Sequence, residues 1–527
     1  MKLVLAALVA CVATGLTTAR GQTTSELRAA PARFANPDRA ARLATAFPEI
    51  DRIFTDYAAG AHVPGIAWGV IVDGALVHRG VAGLRDVGAR APVTSDTVFR
   101  IASMTKSFTA LAILKLRDEG RLSLDDPAER YVSELADLPY PSTDAPRVTI
   151  RHLLTHAAGF PEDNPWGDRQ LAISEAQMTA LLRRGIPFAN VPGVAYEYSN
   201  FGFALLGRIV SVVAGTPYRT YVQREILGPL GMRSTTLEPA DVPADRLARG
   251  YRWEDGQWTL EPPLADGAFG AMGGMLTSMD DLGRYVGYLM SAWPPRDEAE
   301  QGPVRRASLR EMQQAWRARP ATVTMSATGP ELAVSAYGYG LRISQTCAFA
   351  HVVGHAGGLP GYGSLMLWLP EHGVGLIAAG NLTYTSWGPR FDQAFAALAR
   401  TGALEPRLAQ PAPALTAART AVSRLVNEWD DTLADDIAAA NLFLDRSKER
   451  WRRELAALRE THGTCRADER FDVENALRGQ WTMQCDRGAV RVSITLAPTV
   501  PPRVQHLSVV PVTAAPTAQP GACRPQG

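Results

Sequence analysis

The sequence predicts a mixed α/β (α+β) protein: an antiparallel sheet flanked by helices, an inserted helical subdomain, and a small α+β module behind it. Three observations lead there. Strand-like segments lie early, at 66–83, and return late, at 337–379, while helical, loop-rich sequence fills about 125–330 between them. A proline-rich stretch at 402–414 then separates a second run of helices and strands. A chain of 527 residues also exceeds what one hydrophobic core usually organises.

Taken from the N-terminus, Met1-Lys2 precedes a mostly apolar run over 3–16 and then Thr17-Thr18-Ala19-Arg20-Gly21. That is the order and length of a cleaved secretory signal over 1–21, with small residues for cleavage near Ala19 or Gly21. The run falls short of the ~20 residues of a spanning helix. A periplasmic or secreted protein with no transmembrane segment after cleavage is expected. Leu8-Val9-Ala10-Cys11 resembles a lipobox but sits early in the run, so a lipid on Cys11 is the lesser expectation.

The main domain is expected over 22–401. Its first hairpin is signalled by Asp73-Gly74 between apolar runs. After Lys106, the helical spacing of Phe108, Leu111, Leu114 and Lys115, with Gly120 as a stop, predicts a buried helix starting near Ser103. Late strands are predicted at 337–343 and 351–354, followed by a hairpin of 364–369 with 374–379 across Pro370-Glu371-His372-Gly373. If both ends of the domain close one sheet, the functional site lies where that sheet meets the helical insert.

Beyond a linker at 402–414, the module over 415–512 reads as helices at 415–429, 433–442 and 447–461, then strands at 477–485, 489–496 and 504–510. The Pro/Ala/Gln-rich tail at 513–527 is expected to be disordered. Export permits disulfides among Cys347, Cys465, Cys485 and Cys523. A Cys465–Cys485 bond is predicted because the pair lies twenty apart between a helix and a strand, with Cys347 and Cys523 as other candidates.

A net charge of +1, with 20% charged residues, supplies no field to gather nucleic acid or acidic membranes. The chemistry begins at Ser103-Met104-Thr105-Lys106. Residues three apart on a helix share a face, so the hydroxyl and the amine can meet, and a helix N-terminus favours charge developing on the attacking oxygen. Of 54 basic residues only Lys2, Lys106, Lys115 and Lys448 are lysines. Burial can strip a lysine of its proton but not an arginine. A Ser-x-x-Lys alone is weak, since chance supplies one in about one chain in six.

Tyr198-Ser199-Asn200 stands before a helix-like run: a tyrosine beside a lysine can pass protons to a leaving group, and an asparagine amide can orient both lysine and substrate. The third element is His355-Ala356-Gly357-Gly358 on a late strand, chosen over His78-Arg79-Gly80 for its order in the chain and for the glycines downstream. His152 and His156 at i, i+4, with Glu162 and Asp163 nearby, lack the His-Glu-x-x-His pattern of a zinc site. No Gly-x-Ser-x-Gly of the lipase type occurs.

Ser-x-x-Lys, Tyr-x-Asn and His-x-Gly, in this order and at these spacings, resemble the serine β-lactamase and D-Ala-D-Ala peptidase superfamily, in particular its class C β-lactamase, D-aminopeptidase and family VIII esterase branch. The resemblance extends through 99–106, 152–160 and 273–282 and covers about 50–400. It implies the β-lactamase/transpeptidase-like fold and an acyl-enzyme on Ser103, with Lys106 and Tyr198 sharing base and acid duties. It places Asn200, His355, Gly357 and Gly358 in substrate and oxyanion binding, through the backbone N–H groups of Ser103 and Gly358. It implies no metal or cofactor, and small-molecule or short-peptide substrates, peptidoglycan fragments included. Where many β-lactamases carry Lys-Thr-Gly this chain has His355-Ala356-Gly357, so peptide or ester hydrolysis is expected ahead of β-lactam destruction. The rival expectation is a non-catalytic sensor or scaffold, which has no need of Lys106 or Tyr198.

Overall fold

The computed structural model describes residues 27–326 and 329–512. The expected signal at 1–21, Cys11, Cys523 and the tail at 513–527 lie outside the described residues. The chain divides into two compact units, one built on 36–406 and the other on 407–522.

The larger unit is organised by a ten-stranded antiparallel sheet. In chain order its framework comprises β1 (Gly65–Val72), β2 (Ala75–Asp86) and β3 (Ala91–Pro92), then the short β4 (Val98–Arg100). The helical middle carries β5 (Tyr251–Glu254), β6 (Gln257–Leu260) and β7 (Leu276–Ser278). Then follow β8 (Arg317–Ala318), β9 (Thr322–Ser326), β10 (Gly329–Tyr337), β11 (Arg342–Gln345), β12 (Val352–Leu359), β13 (Tyr362–Leu369) and β14 (Val374–Gly380). The sheet order is β3-β2-β1-β14-β13-β12-β11-β10-β8, with β9 against β10, so the first and last parts of the unit meet at β1–β14.

Helices cover both faces of this sheet, which is why β1 is buried at every position although a half-exposed strand would alternate. On one face Phe54, Trp387, Phe391 and Leu398 pack helices Phe47–Gly60 and Gly388–Arg400 against Trp68 and Leu376. On the other, helix Thr105–Asp118 is buried along nearly its whole length beside helices Asn200–Ala214 and Met279–Met290. Among the described residues no single helix is long and apolar enough to cross a membrane.

The hairpin at Asp73-Gly74 forms as expected, with both residues at positive φ. The strand expected at 337–343 is instead broken: β10 ends at Tyr337 and β11 starts at Arg342, with Tyr337 and Arg342 facing one another. Gly340 takes φ +67° in the intervening turn, and a Cβ there would stand 2.6 Å from the Lys106 carbonyl oxygen, so the chain must turn at the floor of the site. The middle stretch is not purely helical either. Asp255-Gly256 closes the β5–β6 hairpin, where Trp253 and Trp258 pack edge to face, and β7 pairs with β4 directly before Ser103.

The smaller unit has its own core, centred on Trp451, Trp481, Val492 and Ile494. Its helices are Pro413–Asn427, Asp431–Ile437, Leu442–Asp445 and Lys448–His462, so the helix expected at 433–442 is two shorter ones and the first helix opens inside the stretch expected as linker. Its sheet has five strands: β15 (Cys465–Ala467), β16 (Asp472–Asn475), β17 (Arg478–Cys485), β18 (Ala489–Leu496) and β19 (Val504–Pro511). Cys465 and Cys485 face one another in the β15–β17 ladder and are disulfide-bonded.

Candidate active site

Ser103 sits in a single 3-10 turn, Ala102–Met104, between β4 and helix Thr105–Asp118. Ala102 takes φ +48°, a conformation most side chains avoid, and Thr105 Oγ1 donates to its carbonyl at 2.6 Å. The turn aims the Ser103 hydroxyl at the first turn of the helix, where Lys106 projects. Lys106 is fully buried, and its Nζ lies 3.0 Å from Ser103 Oγ, 2.6 Å from Asn200 Oδ1 and 2.8 Å from the Met272 carbonyl oxygen. Burial drags its amine down to about 7, against the opposing pull of the Asp168 and Asp163 carboxylates and with help from Arg342.

Asn200 opens helix Asn200–Ala214, capped by Ser199 Oγ, which accepts from the Gly202 N–H at 3.2 Å. The Asp163 carboxylate takes the N–H groups of Asn200 and Phe201 at 2.6 and 2.9 Å, holding the same helix end. The Asn200 amide donates to Asn164 Oδ1 at 3.1 Å, which leaves Oδ1 turned to Lys106. Tyr198 is 8% exposed, and its ring lies 4.9 Å from Lys106 Nζ. Burial raises its phenol well above the ordinary tyrosine range, so the hydroxyl keeps its proton.

His355 points into the protein and is 1% exposed. Its Nδ1 lies 2.6 Å from the Ala356 carbonyl oxygen and its Nε2 2.8 Å from the Tyr337 hydroxyl. A carbonyl can only accept, so Nδ1 carries the hydrogen and Nε2 accepts from the tyrosine. Burial lowers its pKa far below the usual value, and the imidazole is neutral. The exposed member of the motif is Ala356, not His355. Gly357 brings the strand against the nucleophile's turn: a Cβ there would stand 2.1 Å from the Ile101 carbonyl oxygen, which also accepts from Ser364 Oγ at 2.9 Å. β11 pairs only with Val352, Val353 and Gly354, so from His355 to Leu359 that edge of β12 has no strand partner.

The structure therefore gathers Ser103, Lys106 and Asn200 into one hydrogen-bonded cluster with the Tyr198 ring packed on Lys106, and sets Gly357 and Gly358 alongside, while His355 reaches it through Tyr337. Four further residues crowd the centre, and of these the sequence singled out only His156, as a metal candidate. The His156 ring packs at a tilt against Tyr198 and Tyr337, with centroids 4.2 and 4.4 Å away, and accepts the Ser199 N–H on Nδ1 at 3.1 Å. Arg342 acts on Lys106, Tyr198 and His355 and has no carboxylate partner among the described residues. Asp168, 3% exposed, ends the short helix Asn164–Gly167, and Tyr384 donates to its Oδ2 at 2.9 Å. Among the residues weighed for zinc, His152 caps helix Ile150–Leu154 with Thr149, and Asp163 is engaged as above.

An antiparallel sheet with a helical insert, and a Ser–Lys–Tyr–Asn cluster at their junction, define the β-lactamase and penicillin-binding class of fold. The chain belongs to the Beta-lactamase family, whose model matches residues 50–401. This membership supports serine hydrolase chemistry in general.

Protein flp of Staphylococcus aureus (strain COL) is 27% identical over 336 residues, 63% of each chain, so this chain spans less than two thirds of that relative's length. Beta-lactamase-like protein 2 of Dictyostelium discoideum is 35% identical over 210 residues, 38% of each chain. Among solved structures, the octameric penicillin-binding protein homologue from Pyrococcus abyssi superposes with a TM-score of 0.55 at 25% identity, covering 86% of this chain and 91% of that one. A class C beta lactamase shares the fold, with a TM-score of 0.54 at 20% identity over 70% of this chain and all of that one.

Proposed function

We propose that the chain is a serine hydrolase that cleaves an amide or ester carbonyl through an acyl-enzyme on Ser103. One observation carries the reading: of the three oxygens around Lys106 Nζ, the Asn200 and Met272 carbonyls can only accept, whereas Ser103 Oγ can also donate. A neutral Lys106 gives its two hydrogens to the former pair. Its lone pair then faces the serine proton.

In this scheme Lys106 takes the Ser103 proton as Oγ bonds to the substrate carbonyl carbon. The oxyanion settles against the backbone N–H groups of Ser103 and Gly358, each worth about 3 kcal/mol of barrier. As the bond to the leaving nitrogen or oxygen breaks, Tyr198 passes it a proton and is resupplied from Lys106. Water attacks the ester by the reverse path and frees Ser103. Substrates considered are D-amino-acid peptides, carboxylic esters and β-lactams. The outward position of the third motif is the methyl of Ala356, which offers no hydrogen bond to a β-lactam carboxylate, and this favours peptides and esters. We further propose that residues 1–21 export the protein to the periplasm or medium.

Intact-mass labelling with a fluorophosphonate, followed by peptide mapping, tests the mechanism: one adduct on Ser103 is expected, and none in Ser103→Ala. A panel of p-nitrophenyl esters, a chromogenic cephalosporin and D-Ala peptides then ranks substrates. No label and no turnover would leave the sensor or scaffold reading.

A further inference from the structure

Beside β4, the strand that leads to Ser103, lies a cavity of about 200 Å3. Its apolar wall is four leucines and four prolines drawn from 239–247, 260–264, β7 and the turn between β12 and β13. Ser103, Lys106, Tyr198, Asn200 and Gly358 take no part in the lining. Exposure falls along the wall: Leu260 is 41% exposed, whereas Leu276 and Arg100 are 1% and 3% exposed. The cavity is thus open to solvent at Leu260 and closed by a guanidinium.

That guanidinium is poorly provided for. Arg100 Nη2 donates to the Leu264 carbonyl at 2.6 Å, and Nη1 has no hydrogen-bond partner among the described residues. An arginine side chain carries five N–H donors, and burying its charge without a counter-ion is costly. Burial disfavours the charge here, with Tyr362 and, from beyond ion-pair distance, Asp266 and Glu238 opposing. The other polar groups of the lining are already engaged. The Tyr362 hydroxyl donates to the Ala248 carbonyl at 2.7 Å, Arg249 stands 3.5 Å from Asp86, and Glu261 stands 3.8 Å from Arg252. An occupant must therefore bring an anionic acceptor to Arg100 and an apolar body to the leucines and prolines. A carboxylate matches the planar fork of a guanidinium. The volume lies below the ~300–1,000 Å3 of sites for drug-sized ligands, so the apolar body must be short.

We propose that this cavity binds a small monocarboxylic acid with a short apolar chain, its carboxylate on Arg100 and its chain among the leucines. The site is separate from the Ser103 cluster and does not depend on the hydrolase reading.

Isothermal titration of the full chain with hexanoate should show one equivalent bound with a Kd of about 0.1–1 mM, and 1-hexanol and hexanamide should bind about tenfold more weakly or worse. Arg100→Met, checked for folding by circular dichroism, should weaken hexanoate by about tenfold or more. Where that variant folds poorly, a diazirine analogue of hexanoate decides on the wild-type protein: adducts are expected within 239–264 or 360–362 and should disappear under excess hexanoate. Protein labelled on Ser103 by a fluorophosphonate should bind hexanoate with an unchanged Kd. No binding, equal binding of 1-hexanol, unaltered binding in folded Arg100→Met, adducts confined to other segments, or loss of hexanoate on Ser103 labelling each overturns the site. The first is also the outcome if Arg100 is instead satisfied by a shift toward Asp266, whose Oδ1 likewise lacks a hydrogen bond. Failure of Ser103 to take the label counts against the hydrolase reading alone, and the remaining arms still decide the site.

Discussion

Lys106 is surrounded by three oxygens, and only one of them has a proton to give. That geometry makes the residue's charge state the control point of the proposed reaction. With the amine near 7, kcat/KM for an uncharged ester should rise about tenfold per pH unit below 7 and level off above it, because the ammonium cannot accept the serine proton. Removing the negative neighbour in Asp168→Asn disfavours the ammonium, so this limb should move to lower pH; an unmoved limb would mean that another group sets it. Arginine at 106 keeps the charge and loses the acceptor. Lys106→Arg should therefore cost about 10³-fold or more in steady-state rate while the protein stays folded, and Tyr198→Phe about 10²-fold. At this scale the reacting residues were legible because helix geometry ties them: Ser103 to Lys106 by three positions, Tyr198 to Asn200 by two across a helix start. Asp168, Arg342 and Tyr384 were not, since an aspartate after Trp166-Gly167 or an arginine after Leu341 carries no local pattern. His355 was legible as a motif, but its inward direction depends on which face of β12 the sheet buries.

Between elements, the site depends on two approaches of backbone to backbone. β12 lies on the Ser103 turn at Gly357, and the β10–β11 turn lies under the Lys106 carbonyl at Gly340. The obstacle at Gly357 is main chain, which cannot rotate aside as a flexible side chain can. Gly357→Ala should thus cost about 1–3 kcal/mol of stability and most of the activity, as β12 is pushed from Ser103. Gly60→Ala, at a helix end with nothing within 4 Å, should leave both untouched or gain a few tenths of a kcal/mol. Thermal melts and ester turnover on the two variants make the comparison; equal losses would show that the close approach is unimportant. The hairpins at Asp73-Gly74 and 370–373 were readable because turn residues stand between apolar runs of strand length. The β10–β11 break and β7 were not. The first is imposed by a helix more than two hundred residues earlier in the chain, and the second is three residues long and buried throughout, leaving no alternation to detect.

At the scale of the whole molecule, each unit carries its own core, and the smaller one is also stapled. Opening Cys465–Cys485 frees a twenty-residue loop and should cost that unit about 3 kcal/mol. Hydrogen exchange of the Cys465→Ser/Cys485→Ser variant should accelerate over 415–511 and stay unchanged around Ser103; uniform acceleration would contradict independent cores. The plan of the larger unit, one sheet closed by early and late strands around a helical insert, followed from the order of strands and helices along the chain, while the five-stranded sheet of the smaller one exceeded the three strands visible as alternating runs, because β15 and β16 are too short to alternate. The pairing of β1 with β14 has a kinetic consequence. Ile66 sits opposite Gly380, more than three hundred residues later, and closing a loop of that length costs about 5 kcal/mol of chain entropy before any contact repays it. Partnering of β1 on its central side must wait until residue 380 has emerged, whether from the ribosome or from an export channel. Until then β1, apolar at nearly every position, is an open template for another chain, and the yield of folded protein becomes a race between that late strand's arrival and aggregation.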